Sequence, residues 1–321
     1  MLRRNCLGLI LGAVTAVPAA LSVTLPIYEG SEGWLFPEWE STTVFDKAGI
    51  DANIALLQAA QALLAQRQIK LVLVVVPTKA VFYAQRLTAD RVISPEVRGR
   101  YGYLMQTLAQ AGLTAPDFVS ALRAVDHAPQ TAYYRTDYRW TSMGAEAAAA
   151  VAAQAVDRAV PQIRGNAGTG TALGEWVNER HYGDLATRYL PPARRAEIGR
   201  DVFRVRLAPT TSANLFDEDP APVHVLGNSF VQPYWGFSQK LSNALDRPVS
   251  LTWNAGNVGQ WVIALKYLES KDFADNKPQV ILWQMNESQM QLGPNDPGLW
   301  DVQGLMTAQA WLGRVKAAVA K

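Results

Sequence analysis

Cysteine is nearly absent from this chain of 321 residues; its one thiol, Cys6, lies in the N-terminal apolar run. Beyond that run, a disulfide, a zinc–thiolate site and a cysteine nucleophile are excluded. A thiol-free body is compatible with an oxidising compartment. Histidine is scarce too, with only His127, His181 and His224. Charge of one sign is also missing. Thirty basic against 28 acidic residues leave a net +2, too balanced for an electrostatic nucleic-acid binder. No metal-ligand spacing, phosphate loop or dinucleotide fingerprint occurs, so neither metal nor cofactor is expected. With 49% hydrophobic and 18% charged residues, a disordered chain, a coiled coil and a collagen-like fibre are excluded. The length fits one large domain or two modest ones. What the chain does carry is aromatic: 10 Trp and 11 Tyr, which either pack in the core or line a sugar-binding groove.

Met1 to Asn5 is short and basic through Arg3 and Arg4, and Cys6 to Ile27 holds no charge. A small-residue stretch at Pro18-Ala19-Ala20 follows the apolar stretch, the layout of an export signal. The same run is long enough to span the roughly 30 Å of a bilayer core as an anchor, with the arginines on the cytoplasmic side. Residues 1–27 are therefore expected to be a signal peptide or membrane anchor. The remainder, 28–321, is expected to be one exported domain.

That body alternates helix and strand patterns. Residues 50–68 repeat apolar positions at helical spacing. Residues 70–77 form a continuous apolar run suited to a parallel strand buried on both faces. Helix 101–111, a strand at 113–119 and a β-rich run at 131–135 are expected next. Thr141 or Ser142 caps an alanine-rich helix over 144–160. Further strands are expected at 222–226, 248–253 and 279–285. The order argues for an α/β fold, a parallel central sheet with helices on both faces. Residues 161–219, rich in Gly, Pro and Arg, are expected to be an insertion of loops and short strands.

Two segments carry possible chemistry. In Gly227-Asn228-Ser229-Phe230 a strand ends in Gly-x-Ser, which sets the serine at the carboxyl edge of the sheet, where α/β folds bind ligands. Ser229 is there a nucleophile or a helix N-cap. In Asp137-Tyr138-Arg139-Trp140 an acidic residue enters a turn before a helix. Asp137 either caps that turn or takes part in chemistry, and Trp140 either packs or binds. Gly256 and Gly259 let a backbone approach closely in the 254–259 loop, and Asn254 or Asn257 either braces the turn or donates to an oxyanion.

Together these segments resemble the alginate O-acetyltransferase family of AlgX/AlgJ type, whose catalytic domain is a circularly permuted SGNH hydrolase. The resemblance covers the chain from about Tyr28. It rests on Gly30-Ser31-Glu32-Gly33-Trp34-Leu35-Phe36, Val76-Pro77-Thr78-Lys79, the Asp137 segment, Gly183-Asp184-Leu185, the Ser229 turn and the 280–287 strand. It implies transfer of acetyl groups to an exopolysaccharide in the periplasm, through Ser229 as nucleophile and Asp137 as orienting acid. It also implies partners: the polysaccharide, a membrane-bound O-acyltransferase and a polysaccharide synthase complex. Gly227, Asn228, Asn257, Trp140, Asp184 and His181 are then oxyanion or substrate candidates. With few residues after the last strand, an appended carbohydrate-binding module is not expected.

One position departs from the family. Where its Asp-x-His-Trp motif holds the histidine that activates the serine, this chain has Arg139. A guanidinium has no acceptor and cannot remove a proton at neutral pH. Arg139 instead pairs with Asp137 or offers donors to an ester or carboxylate. Of the three histidines, His224 should point away from the active edge, and His181 stands nearest a family motif as a substitute base. An acetyltransferase with a relocated base and a degenerate binder of polysaccharide or acyltransferase are the two alternatives.

Overall fold

The computed structural model describes residues 26–207, 220–297 and 301–321. The export or anchor run lies almost wholly outside these residues, as does the end of the 161–219 stretch. Four parallel strands form the central sheet: β3 (Lys70–Val76), β6 (Val223–Gly227), β7 (Val249–Trp253) and β8 (Val280–Asn286), in the order β3-β8-β6-β7. The apolar runs of β3, β6 and β8 are buried along almost their whole length. Alternate side chains serve opposite faces, as the period of two requires. Val72, Val74, Val225 and Leu282 face the alanine-rich helix Ser142–Ala159 and the helix Phe237–Leu245. Leu71, Leu73, Leu226 and Trp283 face the helices Lys47–Ala65, Pro95–Gln110, Gln260–Leu268 and Ala308–Ala320. The expected α/β architecture is what forms.

Local chemistry sets the helix starts. The Asp46 carboxylate accepts from Gly49 N, Ser94 caps a helix that opens on Pro95, and the Thr141 hydroxyl accepts from Gly144 N at 3.1 Å. Each side chain satisfies one of the amides a helix leaves unpaired at its start.

Two expected strands do not form. Residues 113–119 contribute one bridge, Thr114 with Val72; Pro116 follows, without an N–H for a ladder, and the helix Val119–Val125 begins. In 131–135 only Tyr133 pairs, with Trp140, closing a loop that carries the Asp137 segment at its tip.

The remaining strands are two antiparallel pairs outside the main sheet. Near the N-terminus β1 (Ile27–Glu29) pairs β2 (Leu35–Pro37). In the 161–219 stretch β4 (Trp176–His181) pairs β5 (Asp201–Arg206), with the short helices Asp184–Tyr189 and Pro192–Ile198 between them. The β4–β5 pair and the helix after Gly183 stand over the carboxyl edge of the sheet.

Candidate active site

Strand β6 ends at Gly227 beside the side chain of Gln284 on β8. A Cβ at Gly227 would lie 2.7 Å from Gln284 Oε1 and from Val231 Cγ2, so the tight turn requires glycine. Gln284 Oε1 accepts from Asn228 N at 3.0 Å, and Asn228 Oδ1 accepts from Phe230 N at 3.0 Å. Trp235 Nε1 donates to Ser229 O, and Trp140 Nε1 to Phe230 O, both at 2.8 Å. Two indoles, a glutamine and an asparagine thus fix the serine backbone. Ser229 itself is 5% exposed, at the base of a cleft of about 770 Å³.

Asp137 and Arg139 come to the same point from the 133–140 loop. Arg139 Nε donates to Ser229 Oγ at 2.8 Å, and Nη1 donates to both Asp137 oxygens at 3.0 and 3.1 Å. Nη2 donates to Tyr138 Oη at 2.6 Å and to Asp184 Oδ2 at 2.9 Å. The Asp137 carboxylate also accepts from the backbone N–H groups of Arg139 and Asp184. Burial draws the Arg139 pKa down, but the Asp137 carboxylate, the Tyr138 hydroxyl and the Asp184 carboxylate outweigh it and hold the group above its ordinary value. The cation at the serine is permanent.

The guanidinium only donates, so Ser229 Oγ and Tyr138 Oη are both acceptors toward Arg139. These two oxygens lie 3.1 Å apart. One hydroxyl donates to the other, which leaves a single hydroxyl hydrogen for the cleft. Burial raises the Tyr138 pKa, though Arg139 and Ser229 oppose it, so the phenol is neutral at pH 7. Around the serine there is strong donation and no neutral base.

Asp184 reaches the cluster because Gly183 packs against the Asp137 turn; a Cβ there would sit 2.4 Å from Thr136 O. Gly183 N donates to Thr136 Oγ1, and Asp201 Oδ2 accepts from both Thr136 N and Thr136 Oγ1. Asp184 also pairs with Arg188 at 3.3 Å.

The histidines separate clearly. His224 is buried on β6, stacked on Tyr267 at 3.4 Å, its ring nitrogens bonded to Ser250 Oγ and Thr252 Oγ1. His127 lies exposed in a turn. His181 lines the Ser229 cleft, with Nε2 2.8 Å from Glu179 Oε2, which also accepts from Tyr234 Oη at 2.6 Å. Hydrogen bonds from Tyr234 and His181 hold the Glu179 carboxyl below its usual range. The ionised carboxylate requires a hydrogen on Nε2, so a neutral His181 presents Nδ1 as its acceptor.

Asn257 also lines the cleft, but one of its amide hydrogens goes to Asp301. Asn254 Oδ1 accepts from Lys266. Trp140 is fully buried, stacked on Phe237, and does not reach the cleft as a binding surface. Tyr138, Gln284 and Trp235 join the site without having been expected from the sequence. Only Tyr138 had a signal, its place inside the Asp137 segment.

Against known proteins, residues 27–287 match the family model of the SGNH hydrolase-like domain of acetyltransferase AlgX. The probable alginate O-acetylase AlgJ of Pseudomonas putida is 30% identical over 299 residues, 89% of this chain and 74% of that protein. The namesake protein of Azotobacter vinelandii is 26% identical over 298 residues, 90% and 74% of the two chains. Among solved structures, the O-acetyltransferase domain of Pseudomonas putida AlgJ superposes with a TM-score of 0.73 at 27% identity, covering 91% of this chain and 99% of that one. Pseudomonas aeruginosa AlgX superposes at 0.59 and 18% identity, over 85% and 65% of the chains, a likeness of fold.

Proposed function

The chain belongs to the SGNH hydrolase-like acetyltransferase family of AlgX, and on that premise we propose that it acts in exopolysaccharide O-acetylation, with Ser229 carrying the acetyl group. The observation that carries this reading is the serine at the sheet's carboxyl edge, open to a cleft and joined to Asp137 through one side chain. In the first half-reaction Ser229 Oγ attacks the donor's acetyl carbonyl, and the donor leaves. In the second, a sugar hydroxyl takes the acetyl group from the serine.

Arg139 supplies the electrostatic part. Negative charge on Ser229 Oγ forms 2.8 Å from a fixed cation, where a preorganised donor is worth most. The serine proton needs another acceptor. The Nδ1 face of the Glu179-oriented His181, on the wall of the same cleft, is assigned that role. The aromatic walls, among them Trp39, Tyr189 and Trp253, suit the apolar faces of sugar rings. We place the protein on the periplasmic side of the membrane, exported or anchored by its uncharged N-terminal run, with a membrane-bound O-acyltransferase as acetyl source and a polysaccharide synthase as neighbour.

A second reading has its own observation. Arg139 occupies the position between acid and serine that a base needs, and every nitrogen of it is engaged. Such a site holds an ester carbonyl by its one free hydroxyl hydrogen and does not turn it over. Hydrolysis of a chromogenic acetyl ester separates the two. The transfer reading expects a rate that disappears in Ser229→Ala and in His181→Ala. No rate in the folded wild type, with retained binding of an acetylated oligosaccharide, selects the binding reading.

A further inference from the structure

Three of the sequence landmarks converge on one buried amine. Lys79, at the carboxyl end of β3, has no solvent exposure. Its Nζ donates to Leu35 O at 2.6 Å, Asp137 O at 2.7 Å and Arg135 O at 3.1 Å. The rings of Trp34 and Phe36 lie 5.1 Å from it. Leu35 N in turn donates to Arg135 O at 2.9 Å. The β2 strand, the β3 end and the Asp137 turn therefore share a single cation.

We propose that Lys79 is the positioning residue of the site: its ammonium pins the Asp137 turn, and the turn pins the Arg139 guanidinium on Ser229. The hydrogen count requires it. Leu35 O and Asp137 O each take a hydrogen from Nζ, and Arg135 O, which also accepts from Leu35 N, takes the third; the ammonium has three and the neutral amine two. Its backbone anchor at Asp137 is one residue from Tyr138 and two from Arg139, so a shift of that carbonyl moves every donor around the serine. No second side chain donates to the carbonyls of Asp137 and Leu35 among the described hydrogen bonds.

The surroundings make this cation sensitive to pH. Burial draws Lys79 down to about 7, opposed by the carboxylates of Asp137, Asp201 and Glu40 and aided by the Arg135 guanidinium. Glu40 is itself buried, with Oε2 unpartnered, and burial pushes it up to about 7 while Lys79 and Arg100 pull it down and Glu287 pushes it up. As pH rises above neutrality, the neutral amine keeps two hydrogens and turns a lone pair toward one carbonyl. The turn then loosens.

Hydrogen–deuterium exchange on the full chain tests this without any assumption about catalysis. Lys79→Met keeps the length of the side chain and removes its hydrogens. Amides in 133–140 should exchange about tenfold faster or more, the scale of losing a charge-assisted bond, while those in 280–286 stay unchanged. Lys79→Arg, which restores charge and donors, should recover part of the protection. Faster exchange throughout the chain, or none in 133–140, would overturn the proposal.

Should Lys79→Met fail to fold, the wild type suffices. With 15N-lysine labelling, a protected Nζ ammonium signal should be lost with rising pH in step with faster exchange at 133–140, after correction for intrinsic rates. A protected signal whose loss leaves that segment unchanged overturns the proposal, as does the absence of a protected signal. A kinetic arm rests on the transfer reading: kcat should fall in Lys79→Met with KM nearly constant. An inert wild type would sink the transfer reading, and exchange would still decide the role of Lys79.

Discussion

The Arg139 guanidinium reaches Ser229 and Asp137 through different nitrogens, the same two contacts an imidazole makes through Nε2 and Nδ1 in an acid–base–serine triad. The difference is chemical: the imidazole accepts a proton and the guanidinium does not. On the binding reading, in which the wild type is inert, Arg139→His should therefore bring ester hydrolysis, by about a hundredfold or more over background if the acquired base acts at full strength. With His181 already acting as base the wild type is active, and the substitution brings no gain or a loss. The gain should vanish in Arg139→His with Ser229→Ala. No gain in a folded variant, with the wild type also inert, would show that the cleft lacks more than a base.

A second residue-scale outcome concerns His224, whose pKa burial pushes down to about 3. Its unfolded value is about 6.5, so between those limits the unfolded chain binds a proton that the folded chain excludes. Stability is full above pH 6.5 and declines as pH falls toward 3. The whole decline from this group is on the order of 5 kcal/mol. Urea midpoints at pH 7 and pH 4 should differ less in His224→Gln than in the wild type; an unchanged difference would refute the assignment. Position 139 could be interpreted from the sequence because a short motif frames it. Lys79 and Gln284 could not, because each acts across a long stretch of chain on a backbone atom, and no local pattern records that.

Elements differ in legibility for a related reason. Strands β3, β6 and β8 are buried on both faces and left largely apolar runs in the sequence, interrupted by His224 in β6 and Gln284 in β8. Residues 113–119 meet the edge strand β3 through Thr114 and are stopped by Pro116, and 131–135 folds back on its own chain through Tyr133 and Trp140. Each ends as a single bridge. The helix after Gly183 is short and weakly periodic, and its place over the site depends on the missing side chain of that glycine. Gly183→Ala drives a Cβ to 2.4 Å from Thr136 O and 2.5 Å from Asp137 N, and neither backbone atom can turn aside. Overpacking of this kind costs about 1–3 kcal/mol. The expected result is a lower urea midpoint together with loss of Ser229-dependent hydrolysis, since Asp184 N and Asp137 Oδ2 separate. Equal stability with full activity would show that the helix can shift freely.

At the scale of the molecule, the carboxyl edge of the sheet rests on a buried ionic layer that hydropathy alone would not suggest. Arg100 Nε donates to Glu287 Oε1 at 2.9 Å, Nη2 to Thr78 Oγ1 at 2.9 Å and Nη1 to Val44 O at 3.1 Å. Glu287 Oε2 accepts from Thr78 N at 2.7 Å. The pair is almost fully buried, at 0% and 1% side-chain exposure, and joins the helix Pro95–Gln110, the end of β3 and the turn after β8. Its net worth against an apolar replacement is small, because desolvation offsets attraction; breaking it is costly, because one charge stays buried alone. Glu287→Gln leaves the Arg100 guanidinium without its hydrogen-bonded carboxylate, with only Glu40 acting on it through space, and should lower unfolding stability by up to about 3–5 kcal/mol. Arg100→Met with Glu287→Leu removes both charges and should cost less than Glu287→Gln alone, with the Thr78 amide and hydroxyl as the remaining loss. Urea unfolding of the three proteins decides the matter. A double variant weaker than the single one would mean that the layer holds the catalytic edge through its hydrogen bonds to Thr78 and Val44, with the charge balance secondary.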